Sequence, residues 1–219
     1  MAPLVLVTGF GPFAGLRHNP SGLVARDVGR ARVPGARVVA RVLPVSYAGA
    51  EARVVALCRR LRPDAVLSLG VAIGAPVIRV ETTALNRADF RVADARGFVA
   101  ETTPSPKGAA ARLATYDARA VLRALRAAGV PAAVSHHAGT HLCNVTLYHF
   151  LSALPSNRQI GFLHLPLFPE QVVDLLNEPR GRGRTARAPL ASAELPSMSR
   201  ELQVRAVLAA VRVLIRGVR

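Results

Sequence analysis

Residues 38–70 read VVARVLPVSYAGAEARVVALCRRLRPDAVLSLG, and this stretch decides the fold. Val38–Leu43 is a valine-rich run of strand length, interrupted by Arg41. Ala50, Val54, Leu57 and Leu61 then recur at helical spacing, with charges on the other face. Ala65–Leu69 is a second apolar run, ending at Gly70. The same alternation continues outward in both directions. Upstream, Leu4–Val7 is a buried strand, and Gly9-Phe10-Gly11-Pro12-Phe13-Ala14-Gly15 is turn-rich. Asn19-Pro20 then starts a helix that runs to about Val28, since Asn caps and Pro suits the first helical position.

Downstream, Val77–Val80 is a strand ending at Glu81. Residues 86–116, with Pro104, Pro106 and Gly108, carry no clear period and read as a long excursion. A helix over Asp117–Ala128 stops at Gly129, and Ala132–Ser135 is a short strand. A helix beginning near Cys143 carries Leu147, Phe150, Leu151 and Leu154. Ile160–Leu165 is a strand, Glu170–Leu176 a short helix, 178–198 a Pro/Arg/Gly-rich loop, and Ser199–Arg216 the terminal helix. The pattern predicts one α/β domain over 1–219, a three-layer α/β/α sandwich with a mostly parallel twisted sheet.

Composition narrows the function classes. A chain of 219 residues that is 51% hydrophobic and 19% charged builds a full core and is not disordered. The formal charge of +16 suits a nucleic-acid-binding α/β protein. However, Lys107 is the only lysine, the arginines are scattered, and the nearest cluster (Arg180, Arg182, Arg184, Arg187) lacks interleaved aromatics. Coding bias toward Ala, Arg, Val, Gly and Pro accounts for the same charge. Cys58 and Cys143 cannot form a disulfide framework. The N-terminus lacks a basic n-region, and the longest uncharged apolar stretch, Ala65–Ile78, is too short for a membrane helix of about 20 residues. A soluble, cytoplasmic protein is expected.

Parallel sheets place ligands at the carboxyl ends of their strands. Four features end strands in this reading: the Gly/Phe loop after Thr8, Glu81, the loop 136–143, and His164. Cys143 opens a helix, where unpaired N–H groups and the helix dipole favour the nucleophilic thiolate and an oxyanion beside it. His164 is the best placed of the six histidines to serve it as a base, and Glu81 to orient the imidazole. Each residue has a plainer reading: an inert buried thiol, a core histidine, and a salt bridge from Glu81 to Arg79 or Arg87. Cys58 follows Val54 inside an amphipathic helix and reads as core. His136, His137, His141 and Cys143 would suit zinc, but their spacing matches no zinc motif.

Four stretches together carry a resemblance. Thr8–Gly15 with Asn19-Pro20-Ser21 resembles the N-terminal signature of the type I pyroglutamyl (pyrrolidone-carboxylate) peptidases. Val77–Asn86 (VIRVETTALN) is similar to their glutamate motif, and Ser135–Asn144 (SHHAGTHLCN) to their cysteine motif. Gly161–Pro166 with Pro169-Glu170-Gln171 is similar to their histidine motif. The likeness is collinear over nearly the whole chain. It implies a cysteine peptidase that hydrolyses the amide bond after an N-terminal pyroglutamyl residue through a thioester acyl-enzyme. Cys143 would be the nucleophile, His164 the general base and acid, and Glu81 the orienting carboxylate. Arg91 would stand near the oxyanion, Phe10 and Phe13 would sandwich the lactam, and Asn19 would bond its amide. The Val71 backbone and Leu142 complete the substrate-binding positions. The resemblance implies no cofactor or metal, peptide substrates, no specific nucleic acid, no membrane, and a homodimer or homotetramer. The sequence departs from the family pattern at Ala75, Arg79, Thr82, His137 and His141, which keeps open a catalytically weak relative that binds capped N-termini.

Overall fold

The computed structural model describes residues 2–13, 17–90, 92–177 and 195–218. Its strands are β1 (Leu4–Phe10), β2 (Arg37–Leu43), β3 (Ala65–Val71), β4 (Ile78–Glu81), β5 (Thr83–Leu85), β6 (Ala88–Asp89), β7 (Glu101–Thr102), β8 (Ala111–Leu113), β9 (Ala132–Ser135) and β10 (Gln159–Leu165). Its helices are α1 (Pro20–Arg30), α2 (Ala50–Leu61), α3 (Ala118–Ala127), α4 (Leu142–Ala153), α5 (Pro169–Asn177) and α6 (Arg200–Gly217). Asn19, Asp117 and Ser199 cap α1, α3 and α6 with side-chain oxygens that accept backbone N–H bonds.

The central sheet has the order β2-β1-β3-β10-β4-β9. The neighbours β2, β1, β3 and β10 are parallel, as are β4 and β9 with each other, while β4 runs antiparallel to β10. The reversal follows from chain length. The 72–77 connection is too short for a helical crossover, which takes a dozen or more residues, so β4 cannot return parallel. It instead leaves a slot beside β3 that β10 fills from far along the chain. The central sheet is therefore mostly parallel, as the alternation predicts, with one antiparallel seam between β10 and β4.

Strand alternation sorts the core into two layers. Val5, Val7, Leu67, Leu69, Leu163 and Leu165 face a layer that holds Val24, Val28, Val121, Leu125, Val207 and Leu214 from α1, α3 and α6. Leu6, Val66, Ile160 and Phe162 face α2 and α4, with Val54, Val145 and Phe150. The helix α4 is apolar all round and nearly fully buried, as a helix pressed between a sheet and neighbouring loops must be.

The 86–116 excursion is not structureless. β5 pairs with β8 and β6 with β7, in ladders of two or three residues. Such ladders are too short to leave a period in the sequence. Most of the Pro/Arg/Gly-rich segment, with Arg180, Arg182, Arg184 and Arg187, lies outside the described residues. Among the described residues no helix is long and apolar enough to cross a membrane.

Tyr116 fastens the antiparallel seam. Its ring covers Gly161, and its hydroxyl lies 2.9 Å from the Glu81 carbonyl and 3.2 Å from that of Phe162. A Cβ at Gly161 would fall 2.4 Å from that ring. The Gly161→Ala variant is expected to lose about 2–3 kcal/mol of unfolding free energy through overpacking, read from the urea midpoint.

Candidate active site

The glycines near the end of β1 let α1 come close. A Cβ at Gly9 would lie 2.1 Å from the Ser21 carbonyl oxygen, and one at Gly22 would lie 2.3 Å from that of Phe10. This contact brings Phe10, Phe13 and the cap residue Asn19 to one wall of a cavity of about 320 Å³. That volume suits a single small ring with its attachments, at the lower end of small-molecule sites of about 300–1,000 Å³. The orientation of the Asn19 amide is settled by its partners. Its oxygen accepts from Ser21 N at 3.0 Å and from Ser21 Oγ at 2.7 Å, and its nitrogen donates to the Gly11 carbonyl at 2.9 Å. The capacity left over is one N–H, a donor for a carbonyl group.

The opposite wall is the start of α4. Its cap residue, His141, makes no side-chain cap bond, so that side chain does not occupy the first amides of the helix. Cys143 is half-buried and lines the cavity. Its sulfur needs the bare backbone of Gly70: a Cβ there would lie 2.7 Å from Sγ and 2.8 Å from the Phe162 ring. Leu142 and Val71 also line this space. Cys58, by contrast, sits in the α2 core layer, where burial pushes its thiol up to about 11.

His164 lies on the same face of β10 as Phe162, in register with Gly70 of β3. Its Nδ1 donates to Glu81 Oε1 at 2.8 Å, and it lines the same cavity as Cys143, whose sulfur sits over Gly70, the β3 partner of His164. Burial pushes the imidazolium down. The charge and hydrogen bond of Cys143, together with those of Glu81, outweigh that effect and raise His164 to about 9. Glu81 is 1% exposed, and among the described residues its second oxygen has no hydrogen-bond partner.

The route by which Glu81 arrives corrects the edge argument. Because β4 is antiparallel, its end does not fall at the carboxyl edge of β1, β3 and β10. Glu81 is paired with Phe162, inside the sheet, and reaches His164 diagonally. Salt bridges to Arg79 or Arg87 are not formed: Arg79 is exposed, and Arg87 pairs with Asp89. Arg91 lies outside the described residues.

The loop histidines are engaged separately. His136 and His137 are exposed, and His137 Nδ1 accepts the Gly139 N–H. His141 stacks between Phe13 and Phe90, at centroid distances of 5.2 and 4.0 Å, and its Nε2 donates to the Val92 carbonyl at 3.0 Å. Burial holds its pKa below the ordinary value, against that bond and the Asp94 charge, so the ring is a neutral aromatic wall. Among the described residues no three His, Cys, Asp or Glu side chains are grouped to hold a metal.

Asn144 and Tyr116 have positioning roles that the sequence reading did not assign. Asn144 is fully buried directly after Cys143. It accepts from Leu85 N at 2.7 Å and donates to the carbonyls of Leu85 and Arg87 at 2.8 and 2.9 Å. These bonds tie the head of α4 to the segment that follows Glu81. The available signal was a polar residue beside Cys143 in a largely apolar helix.

Comparison with known proteins agrees with this geometry. A family model described as pyroglutamyl peptidase matches residues 4–217. The chain is 33% identical over 213 residues to the pyrrolidone-carboxylate peptidase of Pyrococcus furiosus, covering 95% of this chain and 96% of that protein. It is 41% identical over 172 residues to that of Cupriavidus pinatubonensis, covering 76% and 80%. Its fold is similar to a mutant pyrrolidone carboxyl peptidase from Pyrococcus furiosus (TM-score 0.85, 31% identity, 99% of this chain and 100% of that one). It is also similar to the pyrrolidone carboxyl peptidase of Thermus thermophilus (TM-score 0.82, 36% identity, 96% and 100%). These relatives favour neither the nucleic-acid reading nor a binder without turnover.

Removing the Asn144 side chain leaves one N–H and two carbonyls unmet. Because each buried unmet group costs about 1–3 kcal/mol, Asn144→Ala is expected to lower the unfolding free energy by about 2–4 kcal/mol, read by urea titration.

Proposed function

Because the chain belongs to the pyroglutamyl peptidase family, we propose that it releases pyroglutamate from peptide N-termini with Cys143, His164 and Glu81 as its catalytic residues. The observation that carries this is a half-buried sulfur and a buried, hydrogen-bonded imidazole–carboxylate pair beside one small cavity walled by Phe10, Phe13 and Asn19.

The substrate ring is neutral, with one C=O and one N–H. Phe10 and Phe13 cover its apolar faces, and the free N–H of Asn19 meets the lactam oxygen. The lactam N–H goes to a backbone carbonyl at Val71, the position that the family resemblance marks. Prolyl peptides lack the carbonyl and bring a charged amine into a largely apolar cavity. A site built around a hydrogen bond rejects analogues that lack the bonding group by about 10⁴–10⁵.

In acylation, the Cys143 thiolate attacks the scissile carbonyl carbon. The oxygen takes the negative charge against the first amides of α4, and Arg91 is the residue that the family resemblance marks for the same charge. Collapse breaks the C–N bond, and His164 passes its proton to the leaving amine, giving a thioester and a free shortened peptide. In deacylation, water attacks the thioester while His164 accepts its proton. The thiolate then leaves, and pyroglutamate departs. Glu81 keeps the proton on Nδ1, so that the other ring nitrogen faces the sulfur. A cytoplasmic setting and a homodimer or homotetramer belong to the same proposal, the latter measured by sedimentation.

The native protein is expected to hydrolyse a pyroglutamyl amide at least about 10³-fold faster than its prolyl counterpart, and Cys143→Ala to hydrolyse neither. Equal turnover of the two amides, or turnover by Cys143→Ala, overturns the reading. The kcat/KM profile is expected to fall on the alkaline side near pH 9, as His164 loses the proton that the leaving amine needs. Glu81→Gln removes the carboxylate that helps hold that proton. It is expected to move this limb to lower pH and to reduce kcat by roughly 10²-fold or more.

A further inference from the structure

In an enzyme that removes the first residue of a peptide, everything outside the ring cavity is leaving group. The rim of the cavity is therefore the surface the rest of the substrate must cross. Val92 stands on that rim, and Phe98 and Val99 follow it on the same segment. Val92, Phe98 and Val99 are 44%, 49% and 57% exposed, and they are three of the six exposed large hydrophobic side chains among the described residues. Their concentration on one segment separates them from the scattered apolar residues found on any surface.

The segment is continuous with the cavity. Val92 lines the cavity, and its carbonyl holds the His141 ring. From there a run of rings leads outward. Phe13 meets His141 at 5.2 Å, His141 meets Phe90 at 4.0 Å, Phe90 meets Tyr47 at 5.7 Å, and Tyr47 stacks on Phe98 at 5.6 Å. Phe98 ends this run with half its surface in water.

The platform is also rigid. The buried Asp94 carboxylate accepts the N–H groups of Tyr47, Arg96 and Phe98, at 2.9, 2.8 and 3.1 Å. The Ala95 N–H donates to the carbonyl of Val45, another cavity residue, at 2.9 Å. An exposed phenylalanine held this firmly is pre-organised to receive a ligand, with little ordering cost on binding.

We propose that Tyr47, Phe98 and Val99 form a subsite for an apolar or aromatic side chain in the leaving peptide, within the first two residues after pyroglutamate. This rests on the peptidase reading above. The occupant follows from continuity: Val92 lines the ring cavity and begins the segment that carries Phe98 and Val99, and every part of the substrate beyond the ring lies outside that cavity.

The test compares kcat/KM for pGlu-Phe-amide and pGlu-Ala-Phe-amide with pGlu-Ala-amide and pGlu-Ala-Ala-amide, in the native protein and in Phe98→Ser. Native protein is expected to favour at least one phenylalanyl substrate over its alanyl partner by roughly five- to twenty-fold. In Phe98→Ser that ratio collapses toward one because the phenylalanyl rate falls, and Val99→Ser shifts it the same way by less. A ratio unchanged in Phe98→Ser overturns this proposal and leaves the peptidase reading standing. An equal loss on all four substrates, with a change in sedimenting mass, also overturns it and assigns the patch to a second copy of the chain. Failure of native protein to turn over any of the four overturns both readings.

Discussion

The 2.8 Å contact between His164 Nδ1 and Glu81 Oε1 is the constraint around which the site is arranged. It joins two groups that neither water nor a bare core would keep in this state. A buried carboxylate needs a partner, and a buried imidazole ordinarily sheds its proton. Placed together, with a sulfur on the far side of the ring, they favour the charged imidazole. The geometry depends on one topological event, the insertion of β10 between β3 and β4. That insertion puts His164 beside Gly70 on one side and diagonal to Glu81 on the other. Gly70 completes the arrangement by lacking the side chain that would exclude the sulfur.

Much of this was legible in the chain because the signals were local. Ala50, Val54, Leu57 and Leu61 marked α2 to the residue. Asn19-Pro20 marked the start of α1, with the cap bond where the residue types placed it. Cys143, His164 and Glu81 each stood out as a polar residue at the end of, or within, an apolar run. What was not legible was non-local. The direction of β4 is set by a connection too short to cross over and by a strand some eighty residues later. The ladders of the 86–116 segment are too short to show a period. The roles of Asn144 and Tyr116 depend on which carbonyls lie near them, and single-chain patterns do not carry that information.

His141 shows how a departure from a family pattern can be physically conservative. At this position the imidazole packs at a tilt between Phe13 and Phe90 and donates a hydrogen bond to the Val92 carbonyl. Burial keeps it neutral, so it brings no charge to the cavity wall. It serves as a ring with a polar tip, much as a tyrosine would. Its neighbours then extend the aromatic run to the surface at Phe98.

The most direct test of the central contact is a ¹⁵N NMR titration of His164 in the native protein. The geometry calls for an imidazole that keeps both ring protons up to about pH 9, with the Nδ1 proton in a short bond to a carboxylate. A midpoint at or below the ordinary histidine value of about 6.5 would contradict it, because Glu81 and Cys143 would then not be holding that proton.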